Sequence, residues 1–187
     1  MERIDEEDID CFLLRTEQIY RKAPEKEKIQ EEWHHMNGFM IWIPRLFQPA
    51  DRKITSEIFW SDNRPDKVFL TEQKTEGITL QVLSDAEILC REQKGNPMEK
   101  LALLLQKLDD RTVCYSMGET EGRVKVYWLE YKSFAAEKGI YNLLFLFQAG
   151  KKKMLGTFYC PFDEYDRWKP IVLEMMQTIK EDADEGI

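Results

Sequence analysis

Between Gly139 and Lys180 the chain reads GIYNLLFLFQAGKKKMLGTFYCPFDEYDRWKPIVLEMMQTIK, its most apolar and best-punctuated stretch. Side chains alternate across a strand, so Tyr141, Leu143, Phe145 and Phe147 share one face, and Leu144 and Leu146 the other. Both faces are apolar in mid-strand, which predicts a central strand covered on both sides. Ala149-Gly150-Lys151-Lys152 predicts a tight turn, with Gly150 free to take positive φ, and residues 154–160 predict the return strand. Gly156 inside that strand predicts a bulge or a close backbone approach. Pro161 ends it by removing a ladder donor. Tyr165, Trp168, Val172, Met175 and Ile179 then recur at alternating steps of three and four, one apolar stripe of a helix, with Asp163 or Asp166 as its cap. Pro170 requires that this helix either starts near Lys169 after a short turn or bends there.

The rest of the chain is less strongly patterned. Ile9, Phe12, Leu13, Ile19 and Tyr20 predict an amphipathic helix over about 4–22, interrupted by Pro24. Residues 25–32 read as a charged surface helix or linker, and Asn37-Gly38 as a turn. Phe39 to Ile43 predicts a strand, and 68–70 and 78–83 predict two strands about Gly77. Ser84-Asp85-Ala86-Glu87 matches a capping box for a helix to about Gln93. Pro97 opens the next helix, whose apolar face is read as Leu101, Leu104, Leu105 and Leu108. Val113 to Met117, a Gly118 to Gly122 turn, Val124 to Glu130 and a Ser133 to Lys138 loop lead into the central hairpin. On the second of these strands Val124, Val126 and Trp128 share one face, and Tyr127 and Leu129 the other. Consecutive strands joined by tight turns are antiparallel. The order therefore predicts a layered α+β domain: an N-terminal helical extension over 1–36, one α+β domain over 37–180 and a mobile acidic tail over 181–187.

Composition changes this picture only by exclusion. A chain of 187 residues can bury a core. Twenty-seven Lys and Arg against 35 Asp and Glu leave a net charge of −8. That balance argues against nucleic acid, which needs a basic face to replace counterions, and against an anionic membrane surface. No apolar run is long enough to span a bilayer. The acidic start MERIDEEDID is unlike a secretory signal, so a cytoplasmic location is expected. Cys11, Cys90, Cys114 and Cys160 are far apart in apolar contexts and are expected to be unpaired thiols.

NGFMIWIP, SDNRPDKVF and GITLQVLS leading into a helix, followed by YNLLFLF, MLGTFYCP and a closing helix with Trp168, resemble the PsbP-like superfamily. That superfamily includes photosystem-associated PsbP proteins, a small Ran-binding nuclear transport factor and bacterial DcrB-like proteins. The resemblance covers about residues 37–180. It implies an antiparallel sheet sandwiched between helices and a non-enzymatic role in protein binding, and it brings no catalytic motif. The acidic N-terminal helix and the missing lipoprotein signal depart from many bacterial relatives.

Candidate chemistry is sparse. His34-His35 lack further ligands at metal spacing, Cys160 reads as a core thiol rather than a nucleophile, and no nucleophile elbow, P-loop or dinucleotide fingerprint occurs. No catalytic, metal or cofactor residue is therefore assigned. Lys151-Lys152-Lys153 form a basic tip that could meet an acidic partner, although lysines at a turn also serve solubility. Residues 44–65 carry large apolar groups without periodicity. Phe47, Phe59, Trp60 and Arg64 are assigned as the candidate partner surface, because exposed aromatics with a basic rim favour protein interfaces; the alternative is that these aromatics fold back and cap one end of the sheet, as most large aromatics are at least partly buried. The expected function is that of a cytosolic, bacterial, non-enzymatic protein-binding module. A small hydrolase with a cleft between sheet and helix, or an immunity-type inhibitor, is the alternative.

Overall fold

Residues 31–36, 38–59, 64–83, 96–120 and 122–182 are described by a computed structural model. In chain order the elements are β1 (Glu31–Met36), β2 (Phe39–Pro44), β3 (Gln48–Pro49), α1 (Arg52–Ile58), β4 (Lys67–Leu70), β5 (Gly77–Leu83), α2 (Met98–Leu108), β6 (Val113–Thr120), β7 (Val126–Ala135), β8 (Lys138–Ala149), β9 (Lys152–Pro161), a 3-10 turn (Phe162–Glu164), α3 (Tyr165–Gln177) and β10 (Lys180–Glu181). Among the described residues the strands form a seven-stranded sheet, ordered β3-β4-β5-β9-β8-β7-β6, and a three-stranded sheet, β1-β2-β10. Every pairing is antiparallel.

The hairpin of β8 and β9 is the centre of the large sheet, as its two apolar faces predict. Tyr141, Leu143, Phe145 and Phe147 pack with Trp168, Val172 and Met175 of α3 and with Phe39, Ile41 and Ile43 of β2. Leu144 and Leu146 point the other way, onto Met98 and Ala102 of α2. The large sheet thus lies between α3 with the small sheet on one side and α2 on the other, an α+β sandwich. Gly150 takes the expected left-handed conformation at the turn, φ 57°. Gly156 makes a close approach, not a bulge: it pairs in register with Phe145, whose ring occupies the space a Cβ would need.

Several expectations are corrected. Residues 31–36, read as the end of a helical extension, form β1, because they align in register with β2 through Trp33 opposite Trp42. Residues 133–138, read as a loop, are the tight end of the β7–β8 hairpin, with Ala136 at φ 59°. Gly118, read as a turn, lies in β6 beneath the Trp128 ring, and Gly77 is the first residue of β5, opposite Leu70. The apolar face of α2 is rotated. Met98 and Ala102 are buried with Leu101 and Leu105 beside them, while Leu104 and Leu108 are exposed. Neither Asp163 nor Asp166 caps α3, and the helix runs through Pro170, which is exposed. Glu181 pairs with Phe39 and Asp182 bonds His35 at 2.7 Å, so the first two residues of the expected tail are held. The helices expected over 4–22 and 84–93 lie outside the described residues, as do Cys11 and Cys90; Cys114 and Cys160 are not in disulfides.

Candidate functional site

The segment after β2 was expected to offer an aromatic surface, and it divides. The backbone turns tightly at Pro44, with the Phe47 amide donating to the Pro44 carbonyl at 2.9 Å. A turn this tight sends neighbouring side chains in opposite directions. Leu46 points out and is 40% exposed, whereas Phe47 points in and is 1% exposed. Phe47 meets Trp168 edge-on at 5.2 Å and Phe158 at 6.3 Å. This corrects the expectation: Phe47 belongs to the core, because the turn aims it at Trp168 of α3 and Phe158 of β9. Phe59 is half-buried at the C-terminal end of α1, Arg64 is exposed, and Trp60 lies outside the described residues.

What the aromatic reading missed is α1 itself. Asp51 caps it, its carboxylate accepting from the Ile54 amide at 2.8 Å, and no residue of the helix is buried. Helices in folded domains normally bury an apolar stripe; this one contributes nothing of the kind. Its last residue, Ile58, is 38% exposed, and Arg45, Arg52 and Lys53 of the same segment are exposed. Leu46 and Ile58 are thus exposed apolar residues of a segment that also carries exposed cations. The sequence signal was present in RKITSEI, which has too few apolar positions to make a core face.

A second constellation is wholly internal. Glu130 stands in β7, flanked in sequence by apolar residues, and its side chain is 2% exposed. Lys169 of α3 reaches it at 2.5 Å, the Ser116 hydroxyl donates to it at 2.7 Å and the Tyr141 hydroxyl at 3.0 Å. Burial, with the adjacent Glu130 charge, holds the Tyr141 phenol well above its ordinary pKa, so it stays protonated and a donor. A buried carboxylate is tolerated when an opposite charge and hydrogen bonds satisfy it. Here β6, β7, β8 and α3 each supply one group, so the network pins the helix onto the sheet. Its carboxylate is held by three partners from three other elements. The sequence hint was an acid in the middle of VYWLEY; its partners are 11 to 39 residues away, in β6, β8 and α3, beyond what periodicity reads.

The other candidates are likewise structural. Cys160 is completely buried, and burial together with Glu164, Glu76 and Asp163 pushes its thiol far above the usual range. A thiol that stays protonated is a poor nucleophile. His34 stacks edge-on against Phe69 at 4.8 Å, and His35 bonds Asp182. Among the described residues no group of three or more His, Cys, Asp or Glu side chains could hold a metal, and no helix is long and apolar enough to cross a membrane.

The sandwich can be matched to solved structures. The solution structure of cyanobacterial PsbP (CyanoP) from Synechocystis sp. PCC 6803 superposes with a TM-score of 0.59 at 10% identity, covering 88% of this chain and 99% of that one. The fold is PsbP-like. At this identity the likeness concerns fold alone. A Pseudomonas aeruginosa protein of unknown function, described as a putative regulator, matches with a TM-score of 0.45 at 8% identity over 82% of this chain and 98% of its own. A Bacteroides thetaiotaomicron VPI-5482 protein matches with a TM-score of 0.45 at 11% identity over 79% and 46%. No family model matches the chain, and no curated protein matches it. Within the PsbP-like sandwich, the α1 segment is the exposed excursion between β2 and β4.

Proposed function

We propose that this chain is a non-enzymatic protein-binding module that takes its partner on the surface around α1. The observation that carries the reading is that α1 buries none of its residues, although the chain keeps it capped and ordered between two strands. Exposed Leu46 and Ile58 supply the apolar centre, and Arg45, Arg52, Lys53 and Arg64 the rim, the arrangement common at protein interfaces. Phe59, half-buried beneath, positions the end of the helix. A cytosolic setting suits Cys114 and Cys160, which are not in disulfides. A hydrolase reading has less support, since the buried carboxylate, hydroxyls and thiol are tied into packing.

The test is a paired substitution, Leu46→Ser with Ile58→Ser. Both side chains are partly exposed, so stability should change by no more than about 1 kcal/mol. Recovery of the partner from extracts of the source cell should fall at least about tenfold, the effect of losing about 1.4 kcal/mol. In the native complex, amide exchange should slow over 45–64. Undiminished capture by the double variant, with protection appearing elsewhere, would sink the reading.

A further inference from the structure

Two hairpin turns project from the same end of the large sheet. β7 begins opposite the end of β8, with Val126 paired to Phe147, so the turn between β6 and β7 and the turn between β8 and β9 lie at that end together. Arg123 and Lys125 from the first turn, Gly150 from the second and Lys180 and Glu181 of β10 line an open cleft of about 500 Å³. Lys151 and Lys152 stand exposed in the turn that Gly150 begins. Lys125 pairs with Glu119 at 3.0 Å, and Lys180 lies over the ring of Trp33 at 4.3 Å. Arg123, Lys151 and Lys152 make no ion pair among the described residues. In a chain of net charge −8, this is a local concentration of positive charge.

The backbone of the cleft already takes one carboxylate: the Gly150 amide donates to Glu181 Oε1 at 3.1 Å. One turn joins β6 to β7 and the other joins β8 to β9, and the four strands are neighbours in that order. The centres of the two turns are therefore two strand spacings apart, about 10 Å. About three residues of extended chain span that distance. A compact phosphate is usually held by amides gathered in a single nest or at a helix end. Here the cations come instead from separate turns.

We propose that this cleft binds an extended acidic segment of a partner protein, with carboxylates spaced along it placed against Arg123 on one turn and Lys151 and Lys152 on the other. Charge complementarity selects the sign of the occupant. The separation of the turns favours charges distributed along a chain over one compact anion, and the Glu181 contact shows that the Gly150 amide accepts a carboxylate as its ligand. The pairing is between exposed charges, so salt weakens it. A patch of this kind acts on the rate of encounter and on the choice of partner more than on affinity. It is a second surface, separate from the one around α1, and does not depend on that one.

Titration of the full chain with a short labelled peptide carrying Glu at every third position, followed by fluorescence anisotropy, tests the proposal. In about 20 mM salt the peptide should bind at least about tenfold tighter than its Gln counterpart, and about 0.5 M salt should remove most of that difference. Arg123→Gln combined with Lys151→Gln and Lys152→Gln should weaken Glu-peptide binding by about tenfold or more, an effect of local rather than total charge. A charge-matched variant, Lys100→Gln with Lys107→Gln and Lys138→Gln, removes three exposed cations from α2 and from the other end of β8. It should weaken binding by no more than about twofold. All six side chains are exposed, so both variants should melt with the parent chain. Equal losses in the two variants, or a Gln peptide that binds as well as the Glu peptide, would overturn the proposal. It is also overturned if inorganic pyrophosphate binds about tenfold tighter than the peptide through the same three cations, or if those cations instead support salt-sensitive self-association. None of these readings involves Leu46 or Ile58, so the outcome is independent of the α1 surface.

Discussion

The two faces of the large sheet are built from the same strands, alternate residue by alternate residue, yet they differ in depth. On the α3 face, Tyr141, Phe145, Phe147 and Phe158 share one core with Trp168 and with Phe39, Ile41 and Ile43 of β2, and several rings touch edge-on. On the α2 face, Leu129, Tyr131, Leu144 and Leu146 meet, among the described residues, one helix of 11 residues. That helix turns only Met98 and Ala102 fully inward and leaves Leu108 83% exposed. Alternation in a strand says that both faces are apolar. It does not say how much protein lands on each, and the covering layer sets the energy of each face. The α3 face also carries the buried Glu130–Lys169 pair, which only a closely docked helix could satisfy.

The comparison breaks most visibly at Trp168. It is 2% exposed, and Trp168→Ala should cost about 3–5 kcal/mol, read as a fall in the denaturation midpoint. Its indole N–H is buried without a hydrogen-bond partner, so Trp168→Phe should cost much less. A melting midpoint untouched by the alanine substitution would mean that α3 does not close this face.

Next comes the ion pair. Lys169→Ala removes the counter-charge and leaves Glu130 buried, a loss of about 3 kcal/mol. Glu130→Gln combined with Lys169→Met removes both charges and should recover most of it. If the double variant is no better than the single one, the pair acts through packing rather than charge.

Alkaline pH probes both faces together. Tyr131, on the α2 face, has its phenol pushed up to about 12 by burial, with a smaller contribution from Cys114, and Tyr141 on the α3 face is raised well above its ordinary value. Because these folded-state values exceed the unfolded one of 10.0, their stabilising contribution is intact below pH 10 and falls as pH rises from there towards 12. Chemical denaturation followed between pH 8 and 11.5 should show that decline, and Tyr131→Phe should make it shallower. An identical slope in the variant would remove Tyr131 from the account.

The smallest effect is expected at Leu108. Leu108→Ser should change stability by no more than about 0.5 kcal/mol, since the residue is already in solvent. A loss above 2 kcal/mol would show that the α2 face is more deeply covered than the described residues reveal.

Much of the sandwich was legible in the chain. Period-two apolar runs over 141–147 and 154–160, the turn at Gly150 and the three-four stripe from Tyr165 to Ile179 are local patterns. Each survives in the structure because nothing distant competes with it. Strand direction followed from short turns in the hairpins, but not for β5 beside β9 or β10 beside β2, which long connections join. Tertiary structure decided everything that depends on which element lies opposite which. Phe47 and Leu46 are adjacent apolar residues in the same turn, and only the position of Trp168 makes one core and the other surface. The face of α2 was misjudged because four leucines fit a helical stripe as well as Met98, Leu101, Ala102 and Leu105 do; the sheet below chose the narrower residues. Residues 31–36 carry charges that suit a surface helix, and became a strand because β2 offered an edge. Glu130 finds its lysine 39 positions away across the sheet–helix boundary. Local periodicity reports which residues avoid water, whereas burial and charge pairing are set by contacts between residues far apart in the chain, which no window of sequence contains.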